Sequence, residues 1–237
     1  MTNNAKPVFL LAGGRPSRGK KQDSLLESVY RGFGITSPTI AYTGTASGDD
    51  RRFFGFIAGE LKEAGAAKIN FAVIAPKNAD LKKAQKTLEA ADIIFVSGGD
   101  VEAGMEVLQA KDMVPFLDNL YQQGKPFFGI SAGAIMLAAR WVRWTDPDVD
   151  SSAELFRCLG YAPIICDTHD EQGGWEELQA ALMLEKEGVK GYGLSSGSAV
   201  KVSPDGKVEA LGGTIYQYAR RGSKVVRIED ILPPGGA

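Results

Sequence analysis

One histidine, His169, and two cysteines, Cys158 and Cys166, are the only soft metal-ligating side chains in this 237-residue chain, its methionines aside. That scarcity argues against a structural zinc site, which takes four such ligands, so no metal and no cofactor are expected. It also leaves His169 as the one imidazole available as a base, with a lysine as the alternative. Two cysteines make no disulfide framework and suit a reducing compartment. Charge of one sign is missing too: the formal net charge is -2, with no long acidic or basic run. Neither nucleic acid nor an anionic membrane is therefore an expected partner. The longest early apolar run, Val8 to Ala12, is too short for a signal-peptide core or a membrane span. No Ser- or Pro-rich linker and no internal repeat divides the chain. The expectation is a cytoplasmic protein of one domain over residues 1–237, ordered from about 7 to 230, with a loose tail over 231–237.

Short apolar runs alternate with amphipathic ones. Strands are predicted at Val8–Ala12, Thr39–Tyr42, Ile69–Ile74, Ile93–Val96, Pro126–Ile130 and Pro163–Cys166. The first five are continuous rather than alternating, as in strands covered on both faces. Between them, Asp49 to Ala64 puts Phe53, Ile57 and Leu61 on one stripe and ends at Gly65, and Asp80 to Ala90 groups Leu81, Ala84 and Leu88. Strand–helix alternation at this spacing predicts an α/β fold, a mainly parallel doubly wound sheet with helices on both faces. After Lys190 the pattern changes to strands at Lys190–Val202, Lys207–Ala210, Thr214–Tyr218 and Lys224–Ile228, read as antiparallel strands finishing the same domain.

Three segments carry chemistry. Gly129-Ile-Ser-Ala-Gly133 follows a strand and passes into the helix-forming run Ile135–Trp141, the pattern of a nucleophile elbow with Ser131 on the strained turn. The Ala132 N–H would then point at whatever Ser131 attacks. Val96-Ser-Gly-Gly-Asp100 follows the preceding strand. Its bare glycines, Gly98 and Gly99, let backbone N–H groups approach a ligand, and Asp100 either meets substrate or caps the next helix. His169 follows the strand Pro163–Cys166, 38 residues beyond Ser131 in the sequence. A fourth segment, Gly13 to Lys20, has phosphate-loop glycine and lysine spacing. It places Lys21 where a magnesium-binding Ser or Thr is required, so it is read as a turn whose Arg15 or Arg18 faces substrate.

Together these residues resemble peptidase family S51, which includes aspartyl dipeptidase and cyanophycinase. The resemblance runs from Leu10 to about Val202, on Ile94–Asp100, Gly129–Ala134 and Asp167-Thr-His169, with weaker similarity at Ala41–Ser47 and Gly191–Leu194. It implies a class I glutamine-amidotransferase-like (flavodoxin-like) fold with serine in place of cysteine. It further implies Ser131 as nucleophile, His169 as base, and the Gly99 and Ala132 N–H groups as oxyanion hole. The substrate implied is a short peptide or isopeptide, with an acidic side chain suggested by the family and by Arg15, Arg18 and Arg143. A homodimer is compatible with it. Ser196 stands where the family carries the triad's glutamate, and Asp170-Glu-Gln-Gly-Gly-Trp175 stands where cyanophycinase-like members have an aromatic and arginines. The orienting carboxylate is expected elsewhere, with Asp146 first and Asp167 and Asp170 after it. The alternative is a catalytically impaired member that binds a small ligand or partner.

Overall fold

The computed structural model describes residues 4–13 and 22–234. In chain order the elements are β1 (Val8–Leu11), α1 (Gln22–Gly32), β2 (Thr39–Thr43), α2 (Arg51–Glu63), β3 (Lys68–Ala72), α3 (Leu81–Ala90), β4 (Ile93–Val96), α4 (Val101–Ala110), α5 (Met113–Gln122), β5 (Phe127–Ile130), α6 (Ala132–Leu137), β6 (Arg140–Trp144), β7 (Ala153–Arg157), β8 (Ile165–Thr168), α7 (Glu176–Leu184), β9 (Lys190–Leu194), β10 (Ala199–Val202), β11 (Val208–Leu211), β12 (Ile215–Arg221) and β13 (Lys224–Arg227).

Seven strands form the main sheet in the order β11-β10-β1-β5-β4-β2-β3. The five that begin the chain's apolar runs are parallel, and β10 and β11 add antiparallel at one edge. Strand β1 shows why a continuous apolar run suits this position. Val8 and Leu10 enter the core on one face, Phe9 and Leu11 the core on the other. Successive side chains point to opposite faces, and here both faces are covered by helices. The helix starts follow from local chemistry: Asp50, Asp80 and Asp100 each accept a backbone N–H of the first turn, capping α2, α3 and α4.

A second sheet, β13-β12-β9-β8, and the hairpin β6-β7 lie outside the main sheet. Here the structure corrects the sequence reading. Lys190–Val202 is two strands broken at Ser195–Ser198, and the two enter different sheets; β9 runs parallel to β8. The helix after Ser131 ends at Leu137, and Arg140–Trp144 is a strand of the hairpin. Ala138 turns extended and Arg-Trp-Val-Arg-Trp pairs with β7, so cross-strand pairing outweighs the helical propensity of the run. Helices α1, α5 and α7 and strand β7 were not anticipated. Ile231, expected to begin a loose tail, exchanges hydrogen bonds with Ile215; residues 235–237 lie outside the described residues. Among the described residues no helix is long and apolar enough to cross a membrane. Cys158 and Cys166 are both free and buried.

Candidate active site

Strands β4 and β5 are parallel neighbours with Val96 opposite Gly129, so the turns that follow them emerge side by side at the carboxyl edge of the sheet. That edge is where open α/β sheets bind ligands. Ser131 occupies the turn after β5 with φ 54° and ψ -126°, a conformation that L-residues rarely adopt. Its N–H donates to Leu11 O at 2.9 Å, and its carbonyl accepts from Ala134 N–H at 2.8 Å. The flanking glycines are required by space: a Cβ at Gly129 would lie 2.4 Å from Gly133 O, and one at Gly133 would lie 2.1 Å from Val96 O.

The turn after β4 rests directly on the serine. A Cβ on Gly98 would come within 3.1 Å of Ser131 Cβ. Gly99 has φ 143°, and a Cβ there would collide with Ala46 O at 2.1 Å. The same Ala46 carbonyl accepts the Asp100 N–H at 2.8 Å, pinning the turn to the single-turn 3₁₀ helix Thr45–Ser47. That helix is anchored by buried Asp49, whose Oδ2 accepts the N–H groups of Ile74 and Ala75. The N–H groups of Gly99 and Ala132 have no acceptor among the described residues.

His169 arrives from the second sheet. It follows β8 directly, with φ 48°, and its N–H donates to Leu194 O of β9 at 2.8 Å. The imidazole Nε2 lies 2.8 Å from Ser131 Oγ, so with Nε2 unprotonated the serine hydroxyl donates to it. Ser131 and His169, 38 residues apart in the sequence, are thus brought into direct contact.

Ser196 lies beside the pair, lining a cavity with Ser131 and His169. Its N–H donates at 3.3 Å to Oε1 of Glu171, a residue that sequence reasoning passed over. Partial burial works to raise the Glu171 carboxyl, but hydrogen bonds from its own N–H and from Ser196, with the charge of His169, hold it below the usual range. The only sequence signal for it was a carboxylate two positions after the histidine.

Asp146 is elsewhere. It sits in the turn between β6 and β7, where its Oδ1 accepts the Asp148 N–H at 3.1 Å and its carbonyl accepts the Ser152 hydroxyl at 2.7 Å. It lines neither cavity that contains Ser131 and His169. The Asp-Pro pair is a turn device, which corrects its expected role beside the imidazole. Arg143 is also engaged, with Nε 2.6 Å from Glu154 and Nη1 2.9 Å from Glu102, which removes the reason to aim it at a substrate carboxylate. Arg15 and Arg18 lie outside the described residues.

Two cavities meet at Ser131 and His169. One, of ≈ 480 Å³, is walled by Phe53, Phe56, Ile57 and Ile130 and includes Gly98. The other, of ≈ 350 Å³, includes Ala132, Asp100, Asp167, Asp170 and Glu177. Among the described residues no three acidic, histidine or cysteine side chains are grouped to hold a metal ion.

The model of peptidase family S51 matches residues 8–210 of this chain. Two solved structures share its fold. A peptidase from an acI-B1 actinobacterium is 17% identical with a TM-score of 0.66, over 96% of this chain and 97% of that one. A putative peptidase E protein from Listeria monocytogenes EGD-e is 15% identical with a TM-score of 0.62, over 88% of this chain and 98% of that one. No curated protein matches.

Proposed function

The chain belongs to peptidase family S51, and on that premise we propose that it is a serine-type hydrolase of short peptides or isopeptides acting through Ser131 and His169. The 2.8 Å contact between Ser131 Oγ and His169 Nε2 is the observation that carries this reading. Oγ attacks the scissile carbonyl carbon while its proton passes to Nε2. The Gly99 and Ala132 N–H groups, free of other acceptors and on turns held against each other, receive the oxyanion. The imidazolium then protonates the leaving amine, and water repeats the sequence on the acyl-enzyme to regenerate the serine.

Glu171 is the carboxylate we assign to the imidazolium's charge. Its hydrogen bond from Ser196 N–H supports the assignment, because Ser196 lines the cavity that holds His169. In this arrangement Ser196 holds the carboxylate that the family's usual glutamate would supply at that position. A cytoplasmic location fits the two unpaired thiols.

Fluorophosphonate labelling tests the reading. Intact protein should gain one adduct on the peptide containing Ser131, and Ser131→Ala should gain none. His169→Ala should turn over short peptides on the order of 10³-fold more slowly. Absence of labelling, or labelling that persists in Ser131→Ala, would remove Ser131 as nucleophile and leave a binding protein or another mechanism.

A further inference from the structure

The larger cavity beside Ser131 has a wall that the proposed chemistry does not use. Phe53, Phe56 and Ile57 stand at positions i, i+3 and i+4 of α2 and so share one helix face, and with Ile130 all three line the ≈ 480 Å³ space. Ile57 and Ile130 belong to a buried core cluster, and Phe53 packs against it. Phe56 is different. It is 63% exposed and, among the described residues, the one exposed large hydrophobic side chain that shares a cavity with Ser131 and His169. Part of the lining is bare backbone: a Cβ on Gly98 would come within 3.1 Å of Ser131 Cβ, and one on Gly13 within 3.0 Å of Ile130 Cγ1. Among the described lining residues His169 and Glu60 are the only titratable ones, and none is a lysine or arginine. The smaller cavity is the more polar one, with Asp100, Asp167, Asp170 and Glu177 on its wall; there burial lifts the Asp167 carboxyl to about 7 against the backbone hydrogen bonds from Thr168 and Leu178. Sites for small ligands are concave, mainly apolar and about 300–1,000 Å³, with a few convergent polar groups. The larger cavity has that make-up, and its polar groups include the reacting pair.

We propose that the larger cavity is the specificity pocket, taking a bulky apolar side chain from a residue that flanks the scissile bond, with Phe56 as its outer wall. The proposal rests on the Ser131–His169 reading and narrows its substrate class to short peptides with a leucine- or phenylalanine-like residue at that bond. It departs from the acidic side chain that the family resemblance suggested. An aspartate entering here would give up water for apolar side chains, with the Glu60 carboxylate on the same wall and no described cation to pair with. A leucine or phenylalanine side chain would instead lie against surface that is already apolar, and binding gains in proportion to the area removed from water. Phe56 carries more of the discrimination than Phe53 or Ile57, because its exposed ring has the most surface left to cover.

Peptides matched in size decide it. Leucine is set against asparagine and aspartate, and phenylalanine against alanine, on each side of the bond in turn. On one side the leucine and phenylalanine peptides should have kcat/KM about tenfold or more above their polar and small counterparts. Phe56→Ala should lower that ratio by about threefold or more, and Phe56→Leu should keep most of it. Because the ring is mostly exposed, both variants should melt with the parent, which separates a change of specificity from a loss of fold. Equal rates across the set, faster cleavage of the aspartate peptides, or a ratio unmoved by Phe56→Ala overturns the pocket and leaves the peptidase reading in place. If no peptide is cleaved, calorimetry of the same set with Ser131→Ala decides. Tighter binding of the leucine and phenylalanine members, weakened when Phe56→Ala is added, keeps the pocket and removes the peptidase reading; binding without discrimination, or none, overturns both.

Discussion

At the scale of the residue, Ser131 and Glu171 hold their places by different means. Ser131 is fixed by sterics: glycines on both sides let a strained turn press against the next strand and helix. Glu171 is fixed by hydrogen bonding, with Ser196 N–H as its visible anchor. If Glu171 balances the imidazolium, Glu171→Gln should lower kcat by about 10²-fold or more while the fold persists. Adding Ser196→Glu to that variant should recover part of the loss, because the carboxylate returns from the position where the family carries it. Circular dichroism and turnover measured on the same preparations check both statements. Asp167 yields a prediction about stability. Its folded carboxyl titrates near 7, above its ordinary value, so the folded chain keeps a proton that the unfolded chain has already released. Stability from this group is present at low pH and is lost as pH rises through about 7. The gain of Asp167→Asn over the parent in urea melts should therefore grow by more than about 1 kcal/mol between about pH 5 and about pH 8. The serine, the histidine and the paired glycines were legible because their chemistry needs fixed neighbours in the sequence. Glu171 was not, since only the positive-φ turn at His169 brings a carboxylate two positions later back toward Ser196. Asp146 misled because an Asp-Pro turn has the same sequence signature whether or not its carboxylate reaches an active site.

At the scale of the element, β9 is the support of His169, and its glycines explain how α7 sits on it. A Cβ at Gly193 would lie 2.7 Å from the Trp175 indole, and one at Gly191 would lie 2.8 Å from Leu178 and Leu182. Trp175, Leu178 and Leu182 are all buried in the cluster between the helix and the sheet. Gly193→Ala should cost about 1–3 kcal/mol by overpacking. It should also reduce turnover, because the next residue, Leu194, accepts the His169 N–H. Thermal melts and kcat on one preparation would show the two losses together; full activity at lowered stability would uncouple β9 from the histidine. The parallel strands of the main sheet were legible because burial on both faces demands unbroken apolar runs. The hairpin β6-β7 and helix α7 were hidden for a physical reason. Arg140–Trp144 mixes basic and aromatic residues that suit either period, and α7 begins after Trp175, which has φ 66° and offers no side-chain cap; the carboxylate that accepts the Glu176 N–H comes from Asp170, too far upstream in the sequence to read as a helix start.

At the scale of the whole molecule, the main sheet closes late in the chain. Its strand β1 takes β10 as a partner, with Val8 opposite Val202. The second sheet then extends beyond the family match, since β12 and β13 follow residue 210 and β12 pairs with β9 along five residues. The nucleophile belongs to the first sheet and its base to the second, and one 2.8 Å contact spans them. Cys166, Tyr192, Leu194 and Ile215 of the second sheet share a core cluster with Val8 and Leu10 of the main sheet, yet a displacement of about 1 Å between Ser131 and His169 is enough to spoil a reacting geometry while leaving that core intact. On slow warming, turnover should fall several degrees below the loss of far-ultraviolet dichroism, and coincident transitions would show that the two sheets melt as one unit. A covalent inhibitor that joined Ser131 Oγ to His169 Nε2 would act as a suture between the sheets. Its effect would then be read as heat tolerance of the whole protein, well away from the atoms it occupies.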